Sequence, residues 1–107
     1  MAPASVQAIW RVVSRIPRGH FVSYGEVARR AGMARRARLV GYALRKAPAE
    51  LDLPWFRVTG ANGRIAFPKG STSHAEQLRR LRREGIRIER GRAVARPADL
   101  DALLWKP

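Results

Sequence analysis

The sequence contains no cysteine among its 107 residues, which excludes disulfide bonds, thiolate metal sites and cysteine nucleophiles. It also lacks an apolar run of about 20 residues, the length that a membrane-spanning helix requires. No basic segment followed by an apolar one, as in a secretory signal, stands at the N-terminus. We therefore expect a soluble, cytoplasmic protein with no metal, no other cofactor and no membrane partner.

Acidic residues are few: the chain has 8 acidic and 22 basic residues, a formal net charge of +14 and a sequence pI near 11.9. Codon bias can favour arginine over lysine, but it does not explain the excess over acids. Such a field attracts polyanions, of which nucleic acid is the commonest, although a merely basic surface remains the alternative. The length predicts a single domain spanning 1–107.

Apolar residues from Val6 to Ile16 recur every three or four positions and predict a first helix that begins after Ser5 and stops at Pro17. Residues 21–22 form a short extended piece.

A helix-turn-helix is predicted at about 24–46. Ser-Tyr-Gly-Glu at 23–26 fits a capping box that opens a short helix, which Gly32 would end. A second helix is expected over 35–46. Within it, Gly41 costs about 1 kcal/mol relative to alanine, which indicates a close approach by either another helix or a ligand.

The second half predicts a hairpin and two further helices. Asn-Gly at 62–63 predicts a hairpin wing at about 57–67. Ser-His-Ala-Glu at 73–76 fits a second capping box, whose helix Gly85 would end. A last short helix is expected over 97–104. The predicted fold is mainly α with a small β-hairpin wing, a winged helix-turn-helix domain.

Between positions 29 and 46 the chain carries seven basic residues and no acidic one. They are Arg29, Arg30, Arg35, Arg36, Arg38, Arg45 and Lys46. Solvated helix faces normally mix both signs, so this segment is predicted to face DNA. The arginines at 79–83 are flanked by Glu76 and Glu84, and they fit an ordinary solvated face with at most a peripheral phosphate role.

Pro-Trp-Phe-Arg-Val at 54–58 and Ala-Arg-Leu-Val-Gly-Tyr-Ala-Leu-Arg at 37–45 are the most informative motifs of the chain. Together with several shorter motifs in the right order, they resemble the C-terminal domain of O6-alkylguanine-DNA alkyltransferases. Pro-Trp-Phe-Arg-Val at 54–58 resembles the family's active-site motif Pro-Cys-His-Arg-Val. Ala-Arg-Leu-Val-Gly-Tyr-Ala-Leu-Arg at 37–45 resembles its recognition helix, Ala-Arg-Ala-Val-Gly-x-Ala-Met-Arg. The remaining matches are Val-Ser-Tyr at 22–24, Pro48, the Asn-Gly pair at 62–63 and Glu-Gly at 84–85.

The resemblance, from about Val6 to Gly85, omits the residues that perform the family's reaction. In active members the cysteine takes the alkyl group from guanine, and the histidine relays its proton towards a glutamate. Here Trp55 and Phe56 stand at those positions, so no catalytic residue is expected. The matching Glu84 should then be a structural partner of a basic or hydroxyl group. Leu-Trp-Lys-Pro at 104–107 resembles the tail of short alkyltransferase-like proteins, which bind alkylated DNA without repairing it.

The resemblance implies a role for each matched residue. Arg38 would be a finger that enters the base stack from the minor groove and fills the place of a flipped nucleotide. Tyr24 would turn the phosphate beside the lesion, and Trp55 would offer an apolar face to the extruded alkylguanine. The implied lesion pocket is Tyr24, Pro54, Trp55, Phe56, Arg57 and Lys69. The implied DNA-binding set is Tyr24, Arg35, Arg36, Arg38, Gly41, Arg45 and Lys46.

The function implied is non-enzymatic recognition of O6-alkylguanine in double-stranded DNA by minor-groove binding and nucleotide flipping. A monomer would mark the lesion for nucleotide excision repair proteins and compete with alkyltransferases. The alternative is a winged-helix regulator that reads sequence in the major groove. An alkyltransferase with another nucleophile is disfavoured by Phe56 and by the lack of cysteine.

Overall fold

The computed structural model describes residues 2–94. Within that range the helices and strands are α1 (Ala4–Ser14), β1 (Val22–Ser23), α2 (Tyr24–Arg30), α3 (Ala37–Lys46), β2 (Val58–Thr59), α4 (Thr72–Arg83), β3 (Ile88–Glu89) and β4 (Arg92–Ala93). Three 3₁₀ turns lie at Ala49–Leu51, Trp55–Arg57 and Ala61–Gly63. The mainly α fold with small strands is confirmed. The helix predicted over 97–104 and the 104–107 tail lie outside the described residues.

Two apolar clusters form the core of the described chain. The first joins α1, α2 and α3 through Val6, Ile9, Val13, Val27, Ala28, Val40 and Ala43. The second joins α4 to the 54–58 segment and the C-terminal strands through Phe56, Ile65, Leu81, Ile86 and Ala93. Burying one such aliphatic side chain contributes about 1.5–3 kcal/mol. The first cluster therefore fixes the helix-turn-helix, and the second fixes the motif. No helix in 2–94 is long and apolar enough to cross a membrane.

The hairpin wing predicted at about 57–67 is wrong in its pairing. Asn62 and Gly63 do turn the chain, with φ of 57° and 77°, and the Gly60 N–H donates to the Arg64 carbonyl at 2.7 Å. However, β2 pairs in parallel with β1, Val22 against Val58. The local turn signal was correct, but a distant strand supplies the partner. This pairing brings the start of α2 beside the end of the motif.

The antiparallel hairpin of the described chain is formed by β3 and β4. Its turn is Arg90-Gly91, with φ of 51° and 75°, as a two-residue primed turn requires. Arg64 adds an isolated bridge to Arg92. A Cβ at Gly63 would collide with the Ala93 carbonyl oxygen, so only glycine permits this approach.

The predicted capping boxes are met in part. Ser23 Oγ accepts from the Glu26 N–H at 3.1 Å as expected, but the Glu26 carboxylate binds arginines instead of reaching back. At α4 the cap is Ser71 rather than Ser73, with Ser71 Oγ accepting from the His74 N–H at 3.1 Å. Glu76 again binds arginines, Arg79 and Arg80.

Both predicted glycine stops are confirmed. Gly32 and Gly85 each have φ of 82°. The residue after each glycine donates its N–H back into the helix, Met33 to Ala28 at 2.8 Å and Ile86 to Leu81 at 3.1 Å. These are the bonds of a Schellman motif, in which a left-handed residue satisfies the last carbonyls.

Candidate nucleic-acid interface

The inner face of α3 is fixed against α1. Trp10 Nε1 donates to the Ala43 carbonyl at 2.7 Å, and Val40 and Ala43 are fully buried. Since α3 repeats every 3.6 residues, Arg38 and Arg45 fall on the opposite side, where both are exposed. The recognition helix is therefore held from behind and presents a basic face to solvent.

The helix begins at Ala37, two residues later than predicted. Arg35 has φ of 72°, in the left-handed region that costs an L-residue about 1–2 kcal/mol. Arg36 takes the N-cap position and makes no side-chain cap hydrogen bond. Arg35 and Arg36 are thus exposed in the lead-in to the helix rather than on it, where strained backbone is often associated with a binding site.

A cleft of about 430 Å³ opens on the basic face. It is lined by Tyr24, Ala37, Arg38, Gly41, Arg45 and Ala66. The structure therefore brings four of the predicted residues together, while Ala37 and Ala66 were missed. Ala37 lies one turn before Gly41, so this small-residue spacing could have been found in the sequence. Ala66 comes from a distant segment and carries no local signal.

Tyr24 is the first residue of α2 and half-buried at the edge of the cleft. Burial raises the pKa of its hydroxyl, and the positive charge of Arg45 offsets part of that rise. The phenol therefore stays neutral at physiological pH and can donate a hydrogen bond to an anionic oxygen.

Gly41 has no neighbour that requires a glycine. A Cβ at this position would meet only Arg45 Nη1, at 3.5 Å, which is ordinary contact with a flexible tip. Of the two explanations for a glycine inside α3, close packing by another helix therefore fails for the described chain. The remaining explanation is that Gly41 leaves room for a ligand that approaches the cleft.

The positive charge of the helix-turn-helix is uncompensated on α3 and its lead-in. Glu26 binds both Arg29 and Arg30, and the hydrogen bonds from Arg29 are the main reason why the pKa of the Glu26 carboxyl is lowered. Five of the seven basic residues form no ion pair with any residue of 2–94. These are Arg35, Arg36, Arg38, Arg45 and Lys46.

The motif at 54–58 forms a 3₁₀ turn that is held by aromatic contacts. The partly buried Trp55 meets Phe67 edge to face, with ring centroids 5.8 Å apart, and meets Phe56 at 5.9 Å. Phe67 follows Ala66, which lines the cleft, but Trp55 is not itself one of the lining residues. Partly buried Pro54 precedes the turn, and its carbonyl accepts from the Arg57 N–H at 3.0 Å.

Phe56 and Arg57 are supports of the motif rather than free walls of a pocket. Phe56 is 8% exposed and belongs to the second core cluster. The Arg57 guanidinium donates to Glu84 at 3.0 and 2.6 Å, and to the Ile16 carbonyl at 2.8 Å. Both residues thus hold the motif in place, and their part in a lesion pocket stays a prediction.

Glu84 has the predicted structural role. Besides Arg57, its carboxylate accepts from the Gly19 N–H at 3.0 Å. Burial by itself raises the pKa of this carboxyl, but the hydrogen bonds from Arg57 and Gly19 outweigh it and hold the pKa below its usual value. The ionised group therefore ties α4 to the motif and to the chain after α1.

Lys69 is one of five predicted lesion-pocket residues outside the cleft lining, together with Pro54, Trp55, Phe56 and Arg57. It is exposed in the turn before Ser71 and makes no hydrogen bond or ion pair within 2–94. It does not line the cleft.

A helix-turn-helix whose second helix turns unpaired basic residues to solvent, beside a cleft floored by alanine and glycine, defines a DNA-binding domain. Residues 4–86 match the family model described as 6-O-methylguanine DNA methyltransferase, DNA binding domain. The chain belongs to this family, and the resemblance found in the sequence is confirmed.

The chain is also similar to individual proteins of this family. The chain is 34% identical over 99 residues to Alkyltransferase-like protein 1 of Schizosaccharomyces pombe, covering 92% of each. It is 37% identical over 82 residues to the DNA base-flipping protein of Escherichia coli, covering 77% of this chain but 62% of that one. A crystal structure of S. pombe Atl1 with damaged DNA containing O6-carboxymethylguanine matches with a TM-score of 0.75, 32% identity and full coverage of both chains.

Proposed function

We propose that this protein binds O6-alkylguanine lesions in double-stranded DNA and flips the damaged nucleotide without repairing it. The observation that carries this proposal is selective loss within an alkyltransferase-type site. The nucleophile position is Trp55 and the relay position is Phe56. Meanwhile Tyr24, Arg38 and Gly41 still meet around one cleft.

The residues of the cleft and of the 54–58 motif suit the steps of nucleotide flipping. An arginine at 38 can stack in the base column and donate to the orphaned partner base. The neutral Tyr24 hydroxyl can donate to the phosphate beside the lesion. Trp55 can cover the alkyl group, and each buried CH₂ contributes about 0.8 kcal/mol in favour of the alkylated base.

The proposal extends to the consequence of binding. Without a nucleophile, no reaction in the complex removes the alkyl group, so the protein would stay bound to the lesion. The bound protein would mark the lesion for nucleotide excision repair proteins and would exclude an alkyltransferase from it. We propose that the protein acts as a cytoplasmic monomer. The names and the DNA-bound structure of the relatives support lesion binding, and these further steps are our proposal.

The regulatory alternative has lost part of its support. It rested on a basic helix-turn-helix followed directly by a hairpin wing. The 57–67 hairpin is not formed: β2 pairs with β1, residues 65–67 form no strand, and Arg64 bridges to Arg92. A footprint confined to one DNA sequence would revive it.

The deciding experiment compares dissociation constants for two duplexes that differ only in one O6-methylguanine, at one stated salt concentration. We expect tighter binding to the damaged duplex. Equal affinities for the damaged and the undamaged duplex would rule out lesion recognition. A parallel incubation with DNA labelled in the alkyl group should leave all label on the DNA, and label on the protein would contradict a non-enzymatic role.

A further inference from the structure

Gln77 is a buried polar residue that does not line the cleft. It lies in the middle of α4, is 0% exposed, and packs behind the motif. An uncharged amide at such a position is costly unless all of its hydrogen-bonding groups find partners. In the described chain no buried side-chain nitrogen or oxygen lacks one.

All the partners of Gln77 are backbone atoms of two site segments. Nε2 donates to the Phe56 carbonyl at 2.9 Å and to the Val58 carbonyl at 2.8 Å. Oε1 accepts from the Ala66 N–H at 3.2 Å. These partners fix the orientation of the amide. In the reversed orientation Oε1 would face the two carbonyl oxygens and the Nε2 hydrogens would face the Ala66 N–H, so no hydrogen bond could form.

These bonds join the motif to residues 66–67. Phe56 belongs to the turn that carries Trp55, and Val58 follows it as the first residue of β2. Ala66 lines the cleft and leads into Phe67, which contacts Trp55 edge to face. One side chain therefore sets the distance between the motif turn and the 66–67 wall, the segment that contributes Ala66 to the cleft. It contacts neither α3 nor the unpaired basic residues through a hydrogen bond.

We propose that Gln77 is a positioning residue for lesion selectivity: it fixes the spacing between the Trp55 turn and the 66–67 wall, and so the fit of an extruded alkylguanine. This inference rests on the proposed function. Binding to undamaged DNA, which depends on the basic face of α3, should not depend on Gln77.

The test uses Gln77→Met, which keeps the length of the side chain and removes all three hydrogen bonds. Dissociation constants are measured for duplexes with guanine or with one O6-methylguanine at a single position. We expect the selectivity ratio to fall by about tenfold, the equivalent of roughly one positioning hydrogen bond, with affinity for the undamaged duplex changed less than about twofold.

Val6→Ala is the matched control, since Val6 is buried in the other core cluster and its truncation destabilises the protein without touching the motif. It should keep the wild-type ratio. If Gln77→Met keeps that ratio too, or if Val6→Ala loses it equally, the positioning role is overturned. If the wild type itself does not discriminate, it is the proposed function that fails.

Two measurements cover the case in which Gln77→Met does not fold. Gln77→Glu retains the volume and the acceptor for Ala66, but a carboxyl has at most one O–H to donate, so at least one of the two carbonyls loses its partner and a loss of ratio in the same direction is expected. In the wild type, the Ala66 amide should be protected from hydrogen exchange. Exchange at the rate of an open loop amide, or a wild-type ratio in Gln77→Glu, would overturn the proposal.

Discussion

At the scale of single residues, Gly41 is expected to lower the stability of α3 and to strengthen DNA binding. Replacing a helical glycine by alanine gains about 1 kcal/mol, and the added Cβ meets only the tip of Arg45. We therefore expect Gly41→Ala to raise the free energy of unfolding by about 1 kcal/mol while weakening DNA binding, since its methyl group would stand where the DNA approaches α3. Chemical denaturation and a binding titration measure the two effects.

Gly25→Ala provides the control for this substitution. Gly25 is exposed in α2, its added Cβ would lie 4.0 Å from Ser23 Oγ, and it does not line the cleft. This variant should be stabilised without losing affinity. If Gly41→Ala bound DNA as well as Gly25→Ala does, the cleft would not be where the DNA backbone lies.

Arg38 and Arg35 are predicted to act differently although neither is paired. Arg38 lines the cleft, so Arg38→Ala should reduce affinity for the lesion duplex more than for the undamaged one, by about 1–3 kcal/mol. Arg35, exposed before the helix, should contact phosphate only. Arg35→Ala should therefore weaken both complexes equally. A lesion-independent loss in Arg38→Ala would show that it, too, is a phosphate contact.

At the scale of elements, the sequence predicted the features that depend on residues within one helical turn, such as the end of a helix. Gly32 and Gly85 end their helices because a left-handed residue satisfies the last carbonyls within one turn. Ser73 fits a capping box with Glu76 and was the predicted cap, but Ser71 caps α4 and the Glu76 carboxylate binds Arg79 and Arg80. Val58 pairs with Val22, 36 positions away, and no pattern around 62–63 contains that information.

The candidate site divides in the same way. Arg38, Gly41 and Arg45 share one helix, so the resemblance and the helical repeat were enough to predict that they lie together. Ala66 and Gln77 join the site only through tertiary packing. The structural role of Glu84 was predicted from the loss of the proton relay at Phe56, but the identity of its partner, Arg57, was not.

The Arg57–Glu84 pair makes the joint between α4 and the motif sensitive to acid. The hydrogen bonds hold the pKa of Glu84 below its unfolded value of about 4.3, so the pair stabilises the fold above that pH. This contribution is lost as the pH falls towards the folded pKa. Glu84→Gln should be less stable than the wild type at pH 7, by about 3 kcal/mol for a broken buried pair.

The difference between wild type and Glu84→Gln should shrink as the pH falls below about 4, because the wild-type carboxyl is then protonated as well. Urea denaturation at several pH values measures it. Glu50→Gln, which removes an exposed carboxylate from the 3₁₀ turn at 49–51, is the control for the loss of one negative charge. A stability difference that stays constant down to pH 2 would contradict the assigned role of the pair.

At the scale of the whole molecule, the net charge of +14 is distributed unevenly. Four glutamates of the described chain form ion pairs with arginines on α2, on α4, in the motif turn, after α1 and near the C-terminal hairpin. They are Glu26, Glu76, Glu84 and Glu89. None of them reaches α3. The electrostatic attraction for a polyanion is therefore concentrated on the face that carries the cleft.

This distribution predicts a steep dependence of DNA binding on salt. If the five unpaired residues on α3 and its lead-in each neutralise one phosphate, log K should fall with log salt at a slope of about −4 to −5. Arg36→Ala should reduce the slope by about 1. Arg82→Ala removes an equally exposed and unpaired arginine from α4 and should leave the slope unchanged. Equal reductions in both variants would mean that the attraction belongs to the overall charge and not to the α3 face.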